Sequence, residues 1–374
     1  MHDVIVIGVG TMGAAACLEL ARRGVRVLGL EQFGVPHTLG SHHGHSRMFR
    51  MSYYEHPDYV PLLKRAYEGW KALERDAGVR LFHETGALYL GRADRALIRG
   101  SLESARTHGL AHEALDRAAL ERRFPQFRPP PGFLGVFEPR AGFVVPEASV
   151  GVIADQAMRL GAEIHGHEPV ESWRVEPSGC VVRTAKDEYR ADRLVFCGGA
   201  WSSRLMTDLG VPLAVTRQVQ GWVQPRVPDS FTEGRFPCWA LENPDGSLYY
   251  GFPMMPTSPG LKIARHARGE PFDPDSMDRR ARPGDERDFL GALECLSPEA
   301  AGPVVSIGVC LYTNSPDSHF IIDRHPKHER VALACGFSGH GFKFAPVIGE
   351  VLADLACAGR TEWPIGFLGL SRLR

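Results

Sequence analysis

VIVIGVGTMGAAACLELARRGVRVLGLE, residues 4–31, decides how this chain folds. Val4 to Ile7 is a continuous apolar run, the pattern of a parallel strand covered on both faces. It leads into Gly8-Val9-Gly10-Thr11-Met12-Gly13, a GxGxxG, and then into an alanine-rich stretch predicted helical to Arg23. Gly24 suits the left-handed turn that closes a helix. A second predicted strand, Val25 to Leu30, ends at Glu31. Gly8 permits the tight turn, Gly10 lets a pyrophosphate reach the backbone, and Gly13 lets helix and strand pack closely. The helix N-terminus offers free amides and a positive dipole end to the same phosphates. Glu31 is placed to accept hydrogen bonds from a ribose, and no basic residue follows it to meet a 2′-phosphate. A lone GxGxxG carries little information. Strand, helix, strand and acid in register define a dinucleotide-binding unit, without separating FAD from NAD.

At 374 residues the chain has room for two domains and a large core. A hydrophobic content of 44% and a charged content of 23% are those of an ordinary water-soluble protein. A net charge of -1 argues against a nucleic-acid partner. The eight cysteines form no CxxC pair and mostly sit in apolar runs, as free thiols do in a reducing compartment. With apolar strand residues beginning at Val4 and no run of membrane-spanning length, a cytoplasmic protein without signal peptide is expected. Of the 43 basic residues only six are lysines, so each lysine outside a polar segment invites a question.

Beyond the fingerprint, GSHHGHSRMFR (40–50) gathers histidines with His37 upstream. No carboxylate or cysteine stands at ligand spacing nearby, so a loop without metal is expected. Tyr59 to Ala77 has helical periodicity ended by Gly78, and two arginine- and alanine-rich helices are expected between 95 and 123. The proline-rich run 124–147 reads as a domain crossing. A helix from Glu147 to Leu160 and strands near 163–175, 179–184 and 192–197 follow, the last closing on the Gly198-Gly199 pair before Trp201. From Val215 onward short aromatic-rich strands recur, the texture of a mostly antiparallel sheet. A helix is expected over 286–296, a strand over Val304–Leu311, and a last helix over Ala345–Ala358 that packs back on the first unit. In GLKIARH, Lys262 and His266 stand four apart, hence on one side of a strand. Cys310 stands ahead of the polar turn TNSPD. GFSGHG has His340 where a nucleophile elbow needs glycine, which excludes that hydrolase reading.

CLYTNSPDSHFIID (310–323) followed by GFSGHGFKF (336–344) closely resembles the monomeric sarcosine oxidase and N-methyltryptophan oxidase family of flavoenzymes, and the likeness extends over nearly the whole chain. It implies a two-domain α/β fold of the D-amino acid oxidase type. Residues 1–85, 146–215 and 318–374 would form a Rossmann-like FAD-binding domain; 86–145 and 216–317 would form a mostly antiparallel substrate domain. It implies FAD bonded covalently to Cys310. Gly8, Gly10, Thr11, Met12, Gly13, Glu31 and Gln32 would hold the nucleotide end. Gly40, Ser41, His42, Arg47, Val170, Gly198, Trp201, Gly339, Gly341, Phe342 and Lys343 would line the rest. Arg50 and Lys343 would take a substrate carboxylate with Tyr250 and His266 near the amine, while Lys262, His266, Arg47 and Tyr312 form the catalytic group and Lys262 promotes the reaction with oxygen.

The implied reaction is oxidation of an N-methyl amino acid, sarcosine first, to glycine, formaldehyde and hydrogen peroxide by a monomer. N-methyltryptophan, pipecolate or a proline-like substrate remains open, as does a dehydrogenase with another acceptor. A non-enzymatic flavin or NAD sensor is the reading from another class, and it would not need Arg50 or the two lysines. The chain departs from the family pattern at His45, which bears on local hydrogen bonding, and at Met254, Met255 and Arg265, which bear on specificity.

Overall fold

Residues 2–276 and 278–373 are described by a computed structural model. Met1, Met277 and Arg374 lie outside them, and with them the two outermost ends of the expected cofactor domain. His2–Ile7 is the centre of the first sheet, flanked in parallel by Val27–Leu30 and Glu188–Phe196. Glu188–Phe196 carries Gly179–Thr184 antiparallel along its first half and His328–Cys335 parallel along its last. Alternation sends Val4 and Val6 to one face, where the helices Thr11–Arg22, Tyr59–Ala77, Pro146–Arg159 and Ala345–Ala358 pack. Ile5, Ile7 and Phe196 fill the other face. The αβ unit read from residues 4–31 is therefore covered on both sides, as its unbroken apolar strand requires.

The second sheet runs in the order Val304–Asn314, Ala214–Val223, Leu261–His266, Leu248–Phe252, Cys238–Glu242, Ala87–Gly91, Leu134–Glu138, Glu113–Leu115. Every neighbouring pair is antiparallel except Cys238–Glu242 with Ala87–Gly91. Arg47–Phe49, Gly142–Val144 and Phe82–His83 form a small third sheet between the two. Among the described residues no helix is long and apolar enough to cross a membrane.

Helices Tyr59–Ala77 and Ala345–Ala358 fall as predicted, each closed by a left-handed glycine, Gly78 and Gly359. Four expectations need correction. The second strand begins at Val27, because Val25 and Arg26 still complete the turn after Gly24. Residues 163–175 hold two strands, Glu163–His165 and Val170–Glu176, which pair with different partners. The helix over 286–296 is a single turn, Arg287–Leu290, followed by a 3₁₀ segment at Gly291–Cys295. Glycine at 291 and the short reach between buried Phe289 and Ala292 favour the tighter coil. The strand ending at Leu311 continues to Asn314, since Thr313 and Asn314 still pair with Val215 and Ala214.

Ala345–Ala358 returns against the first helix at Gly349, where a Cβ would stand 2.6 Å from the Ala15 carbonyl oxygen. Alanine has the better helix propensity, by about 1 kcal/mol. The contact is with backbone and cannot swing aside, so overpacking of about 1–3 kcal/mol outweighs it. Gly349→Ala is expected to lower the denaturation midpoint; an unchanged or raised midpoint contradicts this packing.

Candidate active site

One face of the second sheet forms the floor of a cleft whose roof is the end of the first sheet. Its register places the chemistry in rows. Glu242, Leu248 and His266 lie side by side, as do Ala240, Tyr250, Ala264, Gln220 and Gly308 in the next row, and Phe252, Lys262 and Trp222 in the third. Gln218 lies opposite Cys310, and Thr216 opposite Tyr312. Lys262 and His266 therefore do share a face. The cleft extends from Gly8 and Glu31 through Cys310 to Arg50 and Lys343.

The nucleotide end is built as the sequence motif requires. A Cβ on Gly13 would sit 1.8 Å from the Gly8 carbonyl oxygen, and Gly8 has φ +86°. A Cβ on Gly10 meets nothing within 4 Å, so that position opens into the cleft beside the uncapped N-terminus of Thr11–Arg22. Glu31 is buried and accepts from Val9 N at 2.8 Å and Phe33 N at 3.0 Å. The open Gly10 and the uncapped helix amides fit a pyrophosphate, and the Glu31 carboxylate, held by these two amides, fits a ribose.

In the middle of the cleft stands Cys310, whose Sγ is 3.3 Å from the Ser41 carbonyl and 3.6 Å from Arg47 Nη2. Burial pushes its thiol up, but His43, with Arg47, outweighs burial and brings it down to about 6. His43 Nε2 donates to Val309 O at 2.9 Å, which fixes the ring beside the strand that carries Cys310. Arg47 itself is gripped by the carbonyls of Ser41, His43 and Ser46. Lys262 is 1% exposed and donates to Gly44 O at 2.6 Å and Ser46 O at 2.9 Å, with the Phe252 ring centroid 4.9 Å from its Nζ. Burial, and then Arg47, hold its ammonium well below the ordinary value, while Glu147 works the other way.

At the far end Arg50 pairs with Glu55 at 2.5 Å and stacks over Tyr53 and Tyr54, at 4.1 and 4.7 Å. Its Nη1 is buried without a partner, and so is Glu55 Oε2. Lys343 donates to His340 O at 2.7 Å, and burial together with Arg50 lowers its ammonium well below the ordinary value. His266 meets the Tyr312 hydroxyl at 3.2 Å; burial lowers it to about 4, so the ring is neutral near pH 7. The Tyr53 hydroxyl donates to His340 Nδ1 at 2.6 Å, leaving His340 Nε2 to donate to Ser318 O.

Of the residues singled out from the sequence, Gly8, Gly10, Thr11, Met12, Glu31 and Gln32 line the nucleotide end. Gly40, Ser41, His42, Arg47, Val170, Gly198, Trp201 and Cys310 also line the cleft. Gly339, Gly341, Phe342, Lys343, Arg50, Tyr250, His266 and Tyr312 also border it. Gly13 and Lys262 sit just behind the wall. The sequence reading missed Glu55, Gln218, Gln220 and His340, all on the wall, and the part His43 plays. An acid five positions after Arg50 was the one available signal. Elsewhere, Asp208, His325 and His328 bring possible ligand atoms within 4.8 Å of one another. His325 Nδ1 accepts from Lys327 N at 3.2 Å, so Nε2 carries its proton toward Asp208, and Lys327 Nζ lies 3.5 Å from that carboxylate. This cluster is arranged as an ion-pair network.

Residues 3–355 match the family described as FAD dependent oxidoreductase. The chain is 43% identical to monomeric sarcosine oxidase of Streptomyces avermitilis over 100% of this chain and 98% of that one. It is 35% identical to N-methyl-L-tryptophan oxidase of Escherichia coli O157:H7, with 100% of both chains covered. Among solved structures it resembles the open form of NikD, an unusual amino acid oxidase essential for nikkomycin biosynthesis, with TM-score 0.85 and 27% identity over 98% of this chain and 97% of that one.

The acidity of Cys310 can be read directly. In protein prepared without flavin, alkylation of Cys310 by iodoacetamide is expected to rise through pH about 6 and level off by neutrality. Cys17, Cys238 and Cys335, pushed up to about 12, should stay unreacted. A midpoint for Cys310 near the ordinary thiol value of about 8.5 would remove His43 from this role.

Proposed function

From the chain's membership of the FAD-dependent oxidoreductase family, matched over residues 3–355, we propose that it is an oxidase of secondary amino acids acting first on sarcosine. The products are glycine, formaldehyde and hydrogen peroxide, with O2 and water consumed, and the enzyme works as a cytoplasmic monomer. We read residues 1–85, 146–215 and 318–374 as the cofactor-binding unit and 86–145 and 216–317 as the substrate unit, a division supported by the two separate sheets. The cofactor is FAD, held by the Gly8–Gly13 turn and Glu31 and bonded through Cys310. Flavin, when bound, supplies the redox chemistry; the chain supplies orientation and charge.

One observation carries the substrate assignment: a buried, unpartnered Arg50 Nη1 next to a buried Lys343 at the end of the cleft. An amino-acid carboxylate satisfies both. Neutral His266 beside Tyr312 then presents acceptor capacity near the amine and adds no repelling charge. Lys262 places a compact positive charge behind the middle of the cleft, where electron transfer to oxygen builds negative charge. A second reading, a larger secondary amino acid, is favoured by Ala240, the small residue beside Tyr250 on the cleft wall.

Four measurements test the proposal. A panel of sarcosine, N-methyltryptophan and pipecolate with peroxide readout should give turnover, with sarcosine ahead; peroxide-free turnover would point to another acceptor. Acid precipitation should leave the yellow colour in the pellet, and colour in the supernatant rules out the bond to Cys310. Charge-assisted hydrogen bonds are worth about 1.5–3 kcal/mol. Arg50→Ala should therefore raise KM by about one to two orders of magnitude, and an unchanged KM removes Arg50 from the carboxylate site. A unit charge at about 4 Å contributes roughly 4 kcal/mol at an effective dielectric of about 20, or about a thousandfold in rate. Lys262→Met should accordingly slow reoxidation by orders of magnitude and barely affect anaerobic reduction; equal slowing of both makes Lys262 structural.

A further inference from the structure

Two arginines of the cleft are set by one three-residue strand: Arg47 begins it and Arg50 directly follows it. That strand, Arg47–Phe49, pairs antiparallel with Gly142–Val144, Arg47 opposite Val144 and Phe49 opposite Gly142. Carried outward at the same register, Gly44 falls opposite Glu147 and Tyr53 opposite Glu138. Both carboxylates reach across. Glu147, in the first turn of Pro146–Arg159, accepts from Gly44 N at 2.6 Å and His45 N at 3.2 Å. Glu138, 1% exposed, accepts from Met51 N at 2.8 Å, Ser52 N at 3.1 Å and the Tyr89 hydroxyl at 2.7 Å.

These bonds fall where the backbone needs holding. Gly44 and His45 both have positive φ, +114° and +67°, a conformation that costs a non-glycine residue about 1–3 kcal/mol unless it is tied down. The same turn offers its carbonyls, Gly44 O and Ser46 O, to Lys262. The turn is therefore clamped between an acid on its amide side and a lysine on its carbonyl side. Met51 and Ser52 directly follow Arg50 and precede Tyr53, Tyr54 and Glu55, which stack on Arg50 or pair with it. Neither glutamate lines the cleft, and among the described residues neither forms a salt bridge.

Resting on the reading given under Proposed function, we propose that Glu138 and Glu147 are separate positioning residues for the two halves of the reaction. Glu138 sets Arg50 for the substrate carboxylate, and Glu147 sets the turn that holds Lys262 for the reaction with oxygen. Glu138→Gln keeps the shape but leaves one backbone N–H facing an amide NH2, because the Met51 and Ser52 amides bond to different oxygens. The Gly44 and His45 amides share Oε1 of Glu147, so there Glu147→Leu is the variant that removes the acceptor. The segment must shift, and displacements of about 1 Å cost up to about a hundredfold in a reaction that depends on alignment.

The test uses the flavin-loaded enzyme and two readouts per variant, with hydrogen exchange as the structural reference. Glu138→Gln should weaken propionate binding, followed by flavin absorbance, by about tenfold or more, and leave the reoxidation rate within about twofold. Glu147→Leu should slow reoxidation by about tenfold or more and leave propionate affinity within about twofold. Exchange should rise in peptides covering 50–54 in the first variant and 43–46 in the second. If either variant does not fold, the aspartate variant, one methylene short, carries the same expectations. The proposal is overturned if either variant moves both quantities together, or leaves its own quantity unchanged. Should the parent enzyme oxidise no N-methyl amino acid, the functional reading fails, whereas propionate affinity, dithionite-reduced reoxidation and exchange still judge the clamp.

Discussion

Positive charge buried beyond the available negative charge is the constraint on which this site depends. Arg47, Arg50, Lys262 and Lys343 all approach one cleft, against Glu55 on its wall and Glu138 and Glu147 behind it. Taking an ion out of water costs several kcal/mol unless hydrogen bonds and opposite charge restore it. The chain restores part of this with backbone carbonyls: Ser41, His43 and Ser46 for Arg47, Gly44 and Ser46 for Lys262, His340 for Lys343. Aromatic faces add a little more under Arg50 and Lys262. Carbonyls spread charge without cancelling it. The depressed ammonium groups of Lys262 and Lys343 and the orphaned Arg50 Nη1 show the remainder. A site held this way favours any event that brings in negative charge, whether a carboxylate at one end or a thiolate at Cys310 in the middle.

The two sheets divide the work of building that site. The first sheet and its helices are ordinary apolar packing, and they deliver glycine turns and helix amides to the nucleotide end. The second delivers side chains by register. Because neighbours across antiparallel strands share a face, Lys262 is flanked by Phe252 and Trp222, and Tyr250 by two alanines. Between the sheets, the short Arg47–Phe49 strand begins with Arg47 and is followed directly by Arg50, so small shifts there reach both the middle and the far end of the cleft.

Much of the fold was readable because its signals are local. Helices Tyr59–Ala77 and Ala345–Ala358 are periodic runs stopped by glycine, and the αβ fingerprint lies within 28 consecutive residues, 4 to 31. The common face of Lys262 and His266 follows from spacing alone. What the sequence hid was non-local. The acidity of Cys310 depends on His43, which stands 267 positions earlier (310 − 43) and reaches it only through the meeting of two sheets. Glu138 and Glu147 sit in a proline-rich crossing with no motif around them, and only the pairing of Gly142–Val144 with Arg47–Phe49 aims them. The broken helix at 286–296 failed for a related reason: apolar spacing cannot tell an α turn from a 3₁₀ one when buried contacts choose between them.

The most direct test of uncompensated charge at the Arg50 end of the cleft compares two ligands of the same shape on the flavin-loaded protein. Propionate and propionamide differ in the charge of one group. Titration followed by flavin absorbance should show propionate binding at least about a hundredfold more tightly, from two charge-assisted contacts at Arg50 and Lys343. Its affinity should fall as pH rises and the lysine loses its proton. Equal affinities for the acid and the amide would contradict a cationic site at this end of the cleft.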